Sequence, residues 1–316
     1  MFKPSQILTR QVISKSLLLS ASLLLTFNVS AHEDGHSHEQ VQARLVSAGA
    51  GVTELVLALD AGDELVAVDS TSILPSSITK IEKLGYHRML SAEGILALAP
   101  TLVLGTDAMG PETTLKVLKS ADIKVIQLPT ANDRPQLLSN IDEMGKLLDR
   151  QPQAKQLKLK LQASLDAIAA KKKQLGGIEK APKVLFMLLQ ADRPARVGGE
   201  GTAADIIIKL AGGNNIANFS GYKSLSQEGI LSLQPDLILI SNRSHGQTET
   251  SMSHADQAAS DAEKVLKAMP LLVHTPAGKN KHIQSIKPQA LLGGLGISAI
   301  KAADKLASDL IDIKRY

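Results

Sequence analysis

The chain has 316 residues, 44% of them hydrophobic, enough for one large domain or two medium ones. It has no cysteine, which excludes disulfides and a lipidated cysteine and leaves stability to core packing. Of the formal charge of +4, three units come from Lys3, Arg10 and Lys15; beyond residue 31 there are 32 basic and 31 acidic residues, a balance with no footprint for nucleic acid.

Those three cations precede an apolar run from Leu17 to Val29, and Val29-Ser30-Ala31 fits a small-residue cleavage site. The run is too short to span a bilayer comfortably. Residues 1–31 therefore read as a secretory signal peptide cleaved near Ala31-His32, placing the mature protein in the periplasm, not embedded in a membrane. Residues 32–42 are a His-rich lead, expected to be disordered.

From residue 43 the pattern is α/β. Arg44 to Ser47 is a short strand, Gly49 and Gly51 make a turn, Thr53 to Leu59 is helical, and Leu65 to Val68 is a second strand. Ser91 is a natural N-cap for a helix from Ala92 to Ala99, which Pro100 stops before a strand at Leu102 to Leu104. A helix from Pro111 to Ser120 and the strand Lys124 to Leu128 complete an N-terminal lobe over 43–133. The segment 134–177 carries no strand signal. Leu157, Leu161, Leu165 and Ile168 recur there at helical spacing with lysines on the other faces, so it contains a long linker helix. A second lobe over 178–316 restarts the plan with the strand Lys183 to Leu189 and a helix from Thr202 to Leu210. A strand near His282 to Ile286 and a helix from Gly296 to Leu310 close it. The expected fold is two doubly wound, mainly parallel-sheet lobes joined by one rigid helix. Such a connector favours modest rocking over wide hinge closure, and the cleft between lobes, lined past the strand C-termini, is the natural ligand site.

The chain states one phrase twice. LSAEGILALAPTLVL (Leu90 to Leu104) and LSQEGILSLQPDLIL (Leu225 to Leu239) share ten of fifteen positions. Each places a carboxylate in a first helical turn, Glu93 and Glu228. Alone, each is ordinary helix-start chemistry; as a matched pair, they mark two docking points for a two-fold symmetric partner. Before each repeat stands a tyrosine, Tyr86 in GYHRMLS and Tyr222 in GYKSLS, and Tyr316 is the chain's remaining one. Either could simply pack at a lobe edge. Either could instead face the cleft as a ligand, because phenolate is a hard donor suited to ferric iron. A cation such as Arg88 would favour the phenolate.

The stretches RLVSAGAGVTELVLALDAGDELVAVD through LSAEGILALAPTLVLG, and GTAADIIIKLAGGNNIANFSGYKSLSQEGILSLQPDLILIS, resemble the periplasmic haem-binding proteins of ABC importers over nearly the whole mature chain. That family lies within the class III binding proteins for cobalamin, siderophores and haem. The resemblance implies a non-enzymatic, monomeric carrier whose haem iron is held by Tyr86, with Arg88 beside it. It also implies that Glu93 and Glu228 meet arginines of a permease dimer in the inner membrane. Some relatives add a histidine at the start of the second lobe. Here that stretch holds Gln190, Arg193 and Arg196 instead, so a site with tyrosine alone, or a further ligand from His245 or His254, remains open, and Arg193 or Arg196 could meet haem propionates.

Other readings are a ferric-siderophore or cobalamin carrier of the same fold and, from a different class, a zinc peptidase. HEDGH (His32 to His36) has the letters of a zinc-protease motif, but the chemistry needs a stable helix. This copy contains Asp34 and Gly35 near the new N-terminus; with His38 it suits weak metal binding. Gly49-x-Gly51 opens like a dinucleotide fingerprint, yet Glu54 stands where the third glycine belongs.

Overall fold

The computed structural model describes residues 43–190, 193–242 and 254–315. In the first half, β1 (Leu45–Ala48) leads to α1 (Ala50–Ala58), β2 (Leu65–Val68) and β3 (Glu82–Lys83). Then follow α2 (Ala92–Leu96), β4 (Leu102–Thr106), α3 (Glu112–Ser120) and β5 (Lys124–Leu128). All five strands are parallel, in the order β3-β2-β1-β4-β5. The winding reverses between β1 and β4, which makes a switch point at their C-terminal ends. The strands at this centre read as continuous apolar runs because both faces are covered. Leu45 and Leu104 feed one core, while Val46 and Val103 face the other, against Ile95 and Leu115.

The helical segment holds two helices, α4 (Arg134–Leu147) and α5 (Gln151–Gln174). Asp149 turns the chain between them with φ 51°. Pro152 sits in the first turn of α5, where its missing N–H costs nothing. The two helices close tightly at Gly145, whose added Cβ would stand 2.6 Å from the Ala154 methyl. Leu157, Leu161, Leu165 and Ile168 are all buried, worth roughly 1.5–3 kcal/mol each.

The second half runs β6 (Lys183–Gln190), β7 (Arg193–Gly198), α6 (Ala203–Ala211), β8 (Asn214–Asn215), β9 (Tyr222–Ser224) and α7 (Gln227–Leu233). It continues with β10 (Leu237–Asn242), α8 (His254–Ala268), α9 (Pro276–Lys279), β11 (Ile283–Ser285) and α10 (Ile297–Arg315). Its sheet, β11-β10-β6-β7-β9, is mixed: β10, β11 and β8 join in parallel, but β7 and β9 are antiparallel. The hairpin β6–β7 explains this, since a strand that turns straight back can only pair antiparallel.

The largest core is continuous through both halves. Leu45, Ile141, Leu165, Ile207 and Leu310 all belong to it, so α5 packs one face into it as a spine rather than standing free as a tether. The chain also crosses back a second time. Gly293 and Gly294, with φ 93° and 75°, bring the segment before α10 against the first half. There Leu295 N donates to Ala131 O at 2.6 Å. Glu54 of α1 accepts from Ser298 N at 3.0 Å and from the Ser298 hydroxyl. Glu54 is thus a cap supplied across the two halves to the start of α10, which accounts for its place where a fingerprint would need glycine.

Candidate functional site

Tyr86 lies on the loop from 84 to 90, which leaves edge strand β3 and crosses the C-terminal edge of the first sheet. The crossing is pinned by backbone hydrogen bonds, and His87 and Leu90 among the bonded residues are buried. Gly85 O accepts from Ser70 N (3.2 Å), His87 O accepts from Gly110 N (2.9 Å), and Leu90 N donates to Gly110 O (2.9 Å). Leu90 O also accepts from Thr114 Oγ1 at 2.8 Å. The residues between point outward: Tyr86 is 39% exposed, Met89 76%, and Arg88 is exposed. Among the described residues no carboxylate pairs with Arg88.

His87, which sequence reasoning passed over, is the inward anchor. It is buried, its Nδ1 lies 3.0 Å from Asp69 Oδ2, and its ring centroid is 4.3 Å from that of Tyr86. Asp69 follows β2 and is fully buried. It also accepts from Gly49 N (3.0 Å), the Thr71 hydroxyl (2.6 Å) and the Ser72 hydroxyl (2.6 Å). Burial alone would raise its pKa. Hydrogen bonds from His87, Ser72, Thr71 and Gly49 outweigh that and hold it at about 2. As a carboxylate at neutral pH, Asp69 can only accept, so His87 Nδ1 donates.

The matching phrases suggest the same setting for Tyr222 as for Tyr86. Tyr222 instead opens β9, paired with Gly198, and its ring meets buried Phe186 edge-on at 6.4 Å. Arg196 lies over that ring at 5.3 Å and reaches Tyr222 O at 3.3 Å. The cause is spacing. GYKSLS is one residue shorter than GYHRMLS, so in the repeat's register Tyr222 matches inward His87, not Tyr86. Arg193 and Arg196 stand exposed on β7. No hydrogen bond or ring contact among the described residues joins Tyr86 or Arg88 to Arg193, Arg196 or Tyr222. His245, His32, Glu33, His36 and His38 lie outside the described residues, as does the side chain of His254. Among the described residues no cluster of three His, Asp or Glu could hold a metal. A cavity of about 510 Å³ opens where the halves meet, lined by Arg134, Leu165, Glu200, Asp205, Lys209 and Leu295. Tyr86 is not on its wall; the phenol stands on an open edge.

The repeat is one structural unit built twice. Ser91 and Ser226 cap α2 and α7, accepting Gly94 N and Gly229 N at 3.3 and 3.2 Å. Ile95 and Ile230 are fully buried, while Glu93 and Glu228 are exposed. The Glu228 carboxyl is held below its ordinary pKa by its own backbone N–H and the Ser226 hydroxyl. α2 ends at Leu96, short of the expected Ala99. Ala99 and Gln234 instead take left-handed φ values of 42° and 49°, because the prolines that follow disfavour the right-handed helical state. Thr101 and Asp236 then accept the backbone N–H of Arg44 and Lys183, at 2.9 and 2.8 Å, at the starts of β1 and β6.

Residues 45–290 match the periplasmic binding protein family. The chain belongs to that family. Its members are substrate-binding proteins of ABC transporters, not enzymes. This periplasmic binding protein superposes on the periplasmic haem-binding protein HutB of Vibrio cholerae with a TM-score of 0.74. The two are 41% identical over 85% of this chain and 99% of that one. The periplasmic haem-binding protein BhuT, in complex with two haems, matches with a TM-score of 0.71 at 30% identity, over 86% and 98%. The vitamin B12-binding protein of Vibrio parahaemolyticus is 25% identical over 200 residues, 63% of this chain and 70% of that protein. The substrate-binding lipoprotein YvrC of Bacillus subtilis is 26% identical over 199 residues; the match spans 62% of this chain and 62% of that relative. No helix among the described residues is long and apolar enough to cross a membrane.

Proposed function

We propose that this periplasmic binding protein captures haem through the Tyr86 phenolate and delivers it to an inner-membrane ABC transporter. The observation that carries the reading is the loop from 84 to 90. A rigid backbone presents an exposed phenol beside an unpaired guanidinium at a sheet switch point, where open α/β sheets bind ligands. A phenolate is a recognised axial ligand type for haem iron, and Arg88 supplies positive charge next to it. Arg193 and Arg196 are the propionate partners from the second half. Tyr222 acts as a wall residue through Arg196 rather than as a ligand. The 41% identity to HutB supports haem over other cargoes.

Residues 1–31 serve as the export signal and the mature chain works as a periplasmic monomer, with lobes at 43–133 and 178–316 flanking the helical segment. Glu93 and Glu228 orient the loaded protein on the permease dimer. The test is titration of hemin into the mature apo-protein. A saturable Soret band with a ferric-phenolate spectrum is expected, lost in Tyr86→Ala. The likeness to vitamin B12-binding proteins favours cobalamin as a second reading; uptake of hydroxocobalamin with no hemin spectrum would select it.

A further inference from the structure

We propose that His87, held by Asp69, is the positioning residue that presents Tyr86 to the incoming iron before any ligand arrives. The proposal rests on the reading of Tyr86 as haem ligand. A tyrosine on a free loop would have to be ordered on binding, which subtracts from affinity. Here that ordering is built in. The backbone of the loop is bonded at Gly85, His87 and Leu90, and His87 adds a side-chain tether to a carboxylate fixed by three other residues, Gly49, Thr71 and Ser72. Asp69 also ties the loop to the start of α1 through Gly49 N. A second chain of hydroxyls, Ser47 to Thr53 to Ser72, backs it at 2.8 and 2.7 Å. The His87 imidazole, inclined at 55° to the Tyr86 ring, forms a wall on one side of the phenol. Its position next to Tyr86 in sequence turns one side chain into the core and the other outward.

The experiment compares wild type, Tyr86→Ala, His87→Leu and His87→Asn for hemin affinity and for the ferric-phenolate absorption. Residues that orient a metal ligand typically contribute 10–100-fold in affinity, so His87→Leu should bind hemin about 10–100-fold more weakly, with a heterogeneous phenolate spectrum. His87→Asn offers an amide N–H where Nδ1 stood and should recover most of the affinity. If His87→Asn binds as poorly as His87→Leu, the tether is not what positions Tyr86. Wild-type affinity and spectrum in folded His87→Leu would remove the role of His87 alone. Wild-type hemin binding by Tyr86→Ala would remove the ligand reading and this proposal with it. If His87→Leu does not fold, hydrogen exchange on the wild-type apo-protein decides. The Leu90 and Gly110 amides should be protected like the sheet; exchange at free-loop rates would overturn a preformed loop.

Discussion

His87 Nδ1 lies 3.0 Å from Asp69 Oδ2, eighteen residues earlier in the chain, and both side chains are out of water. This contact joins the loop that carries Tyr86 to the start of α1, so one buried carboxylate serves both the fold and the site. Its pKa falls from an ordinary 3.8 to about 2 on folding. A depressed carboxylate stabilises the fold above its ordinary value, and that contribution is lost as pH falls through the folded one. Between pH 4 and 2 the protein should therefore lose about 2 kcal/mol from this group. Urea unfolding across that range should show the loss in wild type. Asp69→Asn should be weaker at neutral pH and flatter below pH 4; an unchanged slope in the variant would assign the acid sensitivity elsewhere.

Tyr86→Ala should lose most hemin affinity while keeping the wild-type unfolding curve, because the phenol is exposed and the loop is held by its inward residues. Tyr222→Ala should act mainly on stability and weaken hemin binding less than Tyr86→Ala, through the Arg196 it supports. It removes a half-buried ring packed on Phe186 and under Arg196, and should cost roughly 1–2 kcal/mol in stability. Equal losses of hemin in both variants would contradict this division.

Glu93→Ala with Glu228→Ala should leave the Soret band and hemin stoichiometry intact and lower transfer to a reconstituted importer. Exposed pairs contribute on the order of 1 kcal/mol or less each, so the double variant should be worse than either single and Glu→Arg worse again. Wild-type transport by the double variant across a range of salt would reduce both acids to helix-start residues.

Glu54→Ala should destabilise the protein by about 1 kcal/mol, the usual value of a helix cap, although Glu54 and Ser298 are 244 residues apart. The loss should appear in a single unfolding transition, because one core runs through both halves. Two separated transitions would show that the second crossing, more than the shared core, couples them.

Ala99→Gly should raise stability by up to about 1 kcal/mol, since a left-handed residue other than glycine carries strain. Gln234→Gly should gain less, because the Gln234 amide donates to Leu231 O at 2.7 Å. A loss in Ala99→Gly would mean that entropy of the unfolded chain outweighs the strain.

Much of the fold was legible in order along the chain. Strands β2 and β5, the Ser91 cap, the buried stripe of α5 and the doubled phrase follow from local pattern, because burial on one face or both leaves its period in the residues. The exposed acids Glu93 and Glu228 and the neighbourhood of Tyr86 could be found the same way. The hairpin β6–β7, the mixed second sheet and the strand at Tyr222 could not. Their pairing depends on which distant edge is free, and RPARVG carries too little apolar alternation to declare a strand. The role of Glu54, the anchor at His87 and the different orientations of the two tyrosines were likewise decided only in three dimensions. Each depends on a partner between 18 and 244 residues away or on a one-residue difference in loop length. A hydrogen bond at such distance leaves no period in the sequence for its residues to show.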